Sequence, residues 1–211
     1  HTRLRTVTGV QTCALPILES LAAAEGLQRW DLGAACSTDT SVQVDRGEAK
    51  QMKGAQRSAI TVRVWNQEGL VGITSTSDLS ASGLEKALIG ARDASAFGNA
   101  DDTPAFSPLA TAPLPELDQP WREPQPILQL LGTLKDAEAQ LLDRHPAIGT
   151  VPYNGLAQRS SERLYLNSDG ACRHQALSTA SLYLYARAEE TGRKPRSAGA
   201  VRLAYGANEL D

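Results

Sequence analysis

The imidazoles of this 211-residue chain are at His1, His145 and His174, and any hydrolytic zinc chemistry would have to begin from them. Such a centre takes three protein ligands and an open position, with a carboxylate to accept a proton from the bound water. None of the three histidines stands in an HExxH or HExxxH word, so this segment is read as contributing no catalytic, cofactor-binding or metal-ligating residue. His145 precedes Pro146 at an expected helix end, where an imidazole can pair with terminal carbonyls, and a structural role is preferred. His174 shares strand parity with Cys172, so a thiol–imidazole pair can be drawn, but nothing nearby in sequence is an obvious orienting carboxylate. Thr74-Ser75-Thr76-Ser77-Asp78 could expose a hydroxyl nucleophile at a strand end. With no histidine close in sequence to activate it, the cluster reads instead as capping and turn chemistry ahead of a helix. Gly69, Gly72 and Gly83 form neither a GxxxxGK nor a GxGxxG word, which removes a phosphate loop.

Composition narrows the remaining classes. Hydrophobic residues make up 41% and charged residues 21%, enough for one or two compact domains with ordinary cores. The net charge is −3 and the basic residues are scattered, so the concentrated patch that nucleic-acid binding uses is missing. No apolar run approaches the roughly 20 residues that cross a bilayer, so no membrane association is expected. Cys36 and Cys172 are far apart and flanked by small or polar residues; reduced thiols in a cytoplasmic protein are the preferred reading, and a secreted α+β domain would be favoured if they were oxidised. Residues 1–17, HTRLRTVTGVQTCALPI, share no helix or strand period with the chain from Leu18 onward and resemble translated adapter sequence, so they are read as a non-native leader. Thr8, Gly9, Gln11 and Thr12 interrupt the continuous apolar core that a signal peptide would need.

The elements follow from periodicity. Ile17 to Leu27, closing on Gly26, suits a short helix, and Trp30–Cys36 and Ser41–Asp45 read as two strands. Arg46-Gly47-Glu48 is a turn, and Glu48 to Gln56 is an edge strand or loop. Ile60, Val62 and Val64 alternate with Thr61 and Arg63, and Asn66-Gln67-Glu68-Gly69 turns the chain into Leu70–Ile73, which makes a hairpin. Ser80 or Ser82, the latter in capping-box spacing with Glu85, starts a helix whose Leu84, Ala87, Leu88 and Ala91 share a face for packing on that hairpin. Prolines at 104, 108, 113, 115, 120 and 124 disfavour helix and ladder, so 99–125 is expected to be an extended linker. Pro126 to Arg144 has a broad apolar stripe including Ile127, Leu128, Leu130, Leu131 and Leu134, and ends at His145-Pro146. Ala147–Tyr153, Ala157–Asn167 and Ala171–Arg187 are strand candidates, with Asn154-Gly155 and Ser168-Asp169-Gly170 as turns. Ala188 to Ala198 is a polar hairpin tip before a last strand, Val201–Tyr205. Short connections imply antiparallel pairing, and the fold class is α+β: an N-terminal two-layer domain of mainly antiparallel sheet packed with helices, then a helix plus an antiparallel β-meander.

The words VRVW and GLVGITSTSDLS followed by an Ala-rich helix, and further on LYLNSDGACRHQALSTASLYLYARAEETGRKPRSAGA with its Asn167-Ser168-Asp169-Gly170 turn, resemble the TldD/PmbA (TldD/TldE) family of peptidase-complex subunits. The resemblance covers residues 18 to 211 and implies a first domain over 18–98, the linker over 99–125 and a middle domain over 126–211, with the C-terminal catalytic β domain beyond. It further implies a cytoplasmic, zinc-dependent peptidase complex of a TldD-like and a PmbA-like subunit, acting on small or unfolded peptides. In that family the metal-binding word lies beyond the matched region, and PmbA-type subunits lack it. This segment would then be scaffold and substrate-chamber wall. The alternative is a non-catalytic PmbA/TldE-type partner, or a peptide-binding assembly module that recruits an extended strand at a sheet edge by β-augmentation.

Overall fold

A computed structural model describes residues 19–98, 105–113 and 121–210; the leader at 1–17 and linker residues 99–104 and 114–120 lie outside the described residues. After a helical turn at 19–24 (α1), the chain forms β1 (Arg29–Asp45), β2 (Glu48–Trp65), β3 (Val71–Thr76) and helix α2 (Ala81–Ser95). Helix α3 (Ile127–Leu142) precedes β4 (Ile148–Asn167), β5 (Cys172–Ala188) and β6 (Arg196–Ala204). The strands form one six-stranded sheet in the order β3-β2-β1-β4-β5-β6. The β2–β3 and β5–β6 pairs are antiparallel, with Val64 opposite Gly72 and Tyr183 opposite Val201. The central β1–β4 neighbours also run antiparallel, since the Ser168 N–H meets the Trp30 carbonyl at one end and Asn154 meets Val44 at the other.

Two compact units arise among the described residues. The first lies within His1–Ser37, Arg57–Asp118 and Glu162–Gln175, and the second within Thr38–Gln56, Gln119–Ser161 and Ala176–Asp211. In the first, Ile60, Val62 and Val64 of β2, Trp30 and Leu32 of β1, and Leu164 and Leu166 of β4 meet Leu84, Ala87, Leu88 and Ala91 of α2. Leu32, Ile60 and Leu88 are fully buried, and each such side chain contributes about 1.5–3 kcal/mol by leaving water. In the second unit Leu130 and Leu134 of α3 pack on Val42, Val44, Leu156, Ala180 and Leu182, with Leu210 alongside. Each unit is thus a helix laid on antiparallel sheet, and the α+β expectation holds.

Several local expectations are corrected. Ser37 to Thr40 do not break the first strand, since β1 runs unbroken; of the two readings of Glu48–Gln56 the strand holds, as the first half of β2. Asn154-Gly155 is no turn, because β4 runs through it. The buried Asn154 side chain accepts the Val44 N–H through Oδ1 at 2.9 Å and donates through Nδ2 to the carbonyls of Val44 and Val151, each at 2.9 Å. An Asn-Gly pair that would otherwise favour a hairpin is held inside a strand by satisfying a neighbouring strand's backbone. The last strand starts earlier than expected, at Arg196. In α3 Leu128 is 71% exposed, and the inward row is Leu130, Leu134 and Glu138.

Helix α2 is capped by Ser80 rather than Ser82. The Ser80 Oγ accepts the Gly83 N–H at 3.1 Å, and the Asp78 carboxylate in turn accepts the Ser80 N–H at 2.9 Å; hydrogen bonds from Ser80 hold Asp78 below the usual carboxylate pKa. Ser80→Ala orphans the Gly83 N–H and should lower unfolding stability by about 1 kcal/mol in a urea titration, with little change in the slope.

Candidate functional site

The alternation that buries one row of each strand in the first unit puts a polar row on the opposite face. Asp31 lies between the core residues Trp30 and Leu32, Arg63 between Val62 and Val64, and Tyr165 between Leu164 and Leu166. Neighbouring strands bring them together. Arg63 Nε donates to Asp31 Oδ1 at 2.8 Å and Nη2 donates to Oδ2, a bidentate pair on a carboxylate that is only 3% exposed. The Tyr165 hydroxyl donates to the same Oδ2 at 3.4 Å, and Asn167 Nδ2 donates to Tyr165 at 3.5 Å. The hydrogen bond to Asp31, helped by the carboxylate's charge, holds the Arg63 guanidinium above its ordinary pKa against partial burial. Burial pushes the Tyr165 hydroxyl up as well, with the Asp31 charge adding to it.

Chemically this cluster is an electrostatic brace. Its carboxylate is occupied by two guanidinium N–H groups and a phenol, whereas the outer part of Arg63, whose side chain is 45% exposed, can still meet a carbonyl or carboxylate. Tyr165 has the higher pKa in the folded protein, so its contribution is fully present below the unfolded value near 10 and fades as pH climbs above it. Unfolding stability should therefore fall less steeply above pH 10 in Tyr165→Phe than in the parent chain. Chemical denaturation from pH 8 to 11 checks this; parallel profiles would remove the phenol from the brace.

Beside the brace, residues 105–113 lie on the same unit as a strap with one 3₁₀ turn, Pro108–Ala110. The Phe106 ring meets Trp65 edge-on at 5.8 Å, and the Arg29 guanidinium stacks over it at 4.4 Å. Arg173 Nη2 donates to the Leu109 carbonyl at 3.1 Å and to the Ala112 carbonyl. This part of the proline-rich stretch is docked rather than simply extended.

The residues singled out from sequence have modest surroundings. His145 Nδ1 accepts the Ala147 N–H at 3.1 Å, a turn contact rather than a bond to a helix carbonyl. His174 Nε2 lies 3.3 Å from Glu162 Oε2, so the orienting carboxylate not visible nearby in sequence comes from β4. Cys36 and Cys172 are each partly buried against the first core. Within the hydroxyl cluster Thr61 and Ser75 share a hydrogen bond at 3.0 Å, and the Thr76 Oγ1 accepts the Asp78 N–H at 3.1 Å. Among the described residues no three His, Cys, Asp or Glu side chains converge to hold a metal ion, so this donor set does not fit zinc. Sequence reading missed Asp31, Arg63 and the strap; the one available signal was opposite charges at outward positions of two apolar strands.

No curated protein matched the chain. Solved structures share its fold, and three of them show the extent of the likeness. A Thermotoga maritima protein described as a proposed modulator of a DNA gyrase superposes with a TM-score of 0.77 at 15% identity over 93% of this chain. TldE from Thermococcus kodakarensis gives 0.69 at 17% identity over 92%, and a Bacteroides thetaiotaomicron protein, also described as a proposed modulator of DNA gyrase, gives 0.70 at 15% over 91%. The chain spans 44% of the length of each. Two family models match in order: residues 36–95 fit the one described as PmbA/TldA metallopeptidase domain 1, and residues 122–210 fit the PmbA/TldA metallopeptidase central domain. With most of the sequence accounted for by consecutive domains of one family on the fold that its structures share, this chain belongs to the PmbA/TldD family.

Proposed function

We propose that the chain is the first and central part of a PmbA/TldD-type subunit in a cytoplasmic, zinc-dependent peptidase complex that processes small or unfolded peptides. The carrying observation is the ordered match to two domains described as metallopeptidase domains. This segment serves as scaffold and wall of the substrate chamber, and its partner is the complementary TldD-like or PmbA-like subunit. Because the described residues supply no fitting donor set, the metal belongs to sequence outside them or to the partner, and no chemical step is assigned to this segment. The full-length gene product, purified with its partner, should cleave unfolded peptides in a reaction stopped by a chelator and restored by zinc. A well-folded complex with no metal-dependent cleavage would overturn the reading.

A second reading is favoured by β6, which ends the sheet and is exposed along all but its last residue. Among the described residues no strand pairs with its outer edge, whose N–H and C=O groups can accept one. A non-catalytic PmbA/TldE-type subunit, or a peptide-binding assembly module, would use such an edge. An HExxxH word further along the full gene decides for the catalytic subunit; family-like sequence without it decides for the partner.

A further inference from the structure

The strap is held as a bound peptide is held. Phe106 lies against Arg29 at the start of β1 and Trp65 at the end of β2, while the carbonyls of Leu109 and Ala112 are gripped by Arg173 on β5. In the strand order β2-β1-β4-β5, these anchors stand two to three strands apart, about 10–15 Å. Between the anchors the chain makes the 3₁₀ turn Pro108–Ala110. One anchor reads an aromatic side chain and the other reads main-chain carbonyls that any sequence would present. The leucine between them points outward, with Leu109 74% exposed and so contributing little to the hold. The strap also falls between the two matched family domains, which end at residue 95 and resume at 122.

We propose that the face carrying Arg29, Trp65 and Arg173 is a groove for a peptide that presents an aromatic residue and then turns, and that residues 105–113 occupy it as an internal ligand. The strap then regulates entry: an external peptide binds only by displacing it. The groove's existence is independent of the peptidase reading; only the external ligand's role as substrate rests on it, and binding is measured without cleavage.

The test uses a synthetic peptide of residues 105–113, AFSPLATAP, and the chain with 105–112 replaced by Gly and Ser at equal length. Titration calorimetry should show the replaced chain binding the peptide at least tenfold more tightly than the parent chain. Arg173→Ala in the replaced chain, or Phe→Ala in the peptide, should abolish that gain. A replaced chain that unfolds cooperatively yet binds no peptide, or binds it equally well without Arg173, overturns the groove. If replacement prevents folding, Arg173→Ala in the intact chain is the second arm. Amide exchange at 106–112 should then accelerate at least tenfold while the α2 amides hold, and unchanged exchange there overturns the proposal. Failure of metal-dependent cleavage in the full complex leaves these binding outcomes standing.

Discussion

Gly72→Ala should remove about 3 kcal/mol or more of stability, a large share of the roughly 5–15 kcal/mol that a domain has. A Cβ at Gly72 would stand 1.9 Å from the Ala91 carbonyl oxygen and 2.3 Å from the Ser95 nitrogen, both backbone atoms of α2. Neither can rotate away, so the helix must lift from β3, and the burial of Leu84, Ala87, Leu88 and Ala91 weakens with it. Gly90, on the helix side of the same contact, is the control. Its added Cβ meets the Thr74 Oγ1 at 3.2 Å, a side-chain atom that can turn, while alanine gains up to about 1 kcal/mol of helix propensity. Gly90→Ala should therefore sit near neutral. Urea unfolding of both variants checks the pair, and a Gly72→Ala within about 0.5 kcal/mol of the parent would show that α2 is not seated so closely on β3.

That contact also marks where sequence reasoning stopped. The period-two rows of Ile60, Val62 and Val64 and the helical row Leu84, Ala87, Leu88 and Ala91 are local patterns, and both fold as read. Gly72 reads as an ordinary strand glycine, since its need for a missing side chain comes from a helix folding back across it. Strand ends were the least legible feature. Ser37 to Thr40 and Asn154-Gly155 carry turn chemistry, yet tertiary pairing keeps each inside a long strand. Parity sets Asp31, Arg63 and Tyr165 each opposite the apolar row of its own strand, but that they touch depends on β1 lying between β2 and β4, which the order of elements along the chain does not state. The Glu162–His174 contact was hidden for a simpler reason, because twelve residues and a strand turn separate the partners.

Glu138 is the sharper instance, because an acidic residue in an apolar helical stripe reads as a surface position and is instead 2% exposed. Its two oxygens accept the N–H groups of Arg46 at 3.2 Å and Gly47 at 2.7 Å, the central residues of the β1–β2 turn. Both have positive φ, 51° and 76°, the geometry of a two-residue hairpin loop that prefers Asn-Gly or Gly-Gly. Arginine in that region costs about 1–2 kcal/mol, and a charged acceptor for both N–H groups offsets it. Glu138→Ala should lose about 2 kcal/mol, because the hydrogen bonds from both turn amides to the carboxylate go, while the exposed Arg46 and Gly47 N–H groups can turn to water. Glu138→Gln keeps the shape but turns an NH₂ toward one of those donors, so it should recover only part of the loss. Arg46→Asn should gain about 1 kcal/mol by relieving the backbone. Because Glu138 grips main chain rather than the arginine side chain, that gain should persist in the Glu138→Ala background. A double-mutant cycle by urea unfolding measures it, and a coupling energy above about 0.5 kcal/mol would mean that the Arg46 side chain itself takes part in holding the turn.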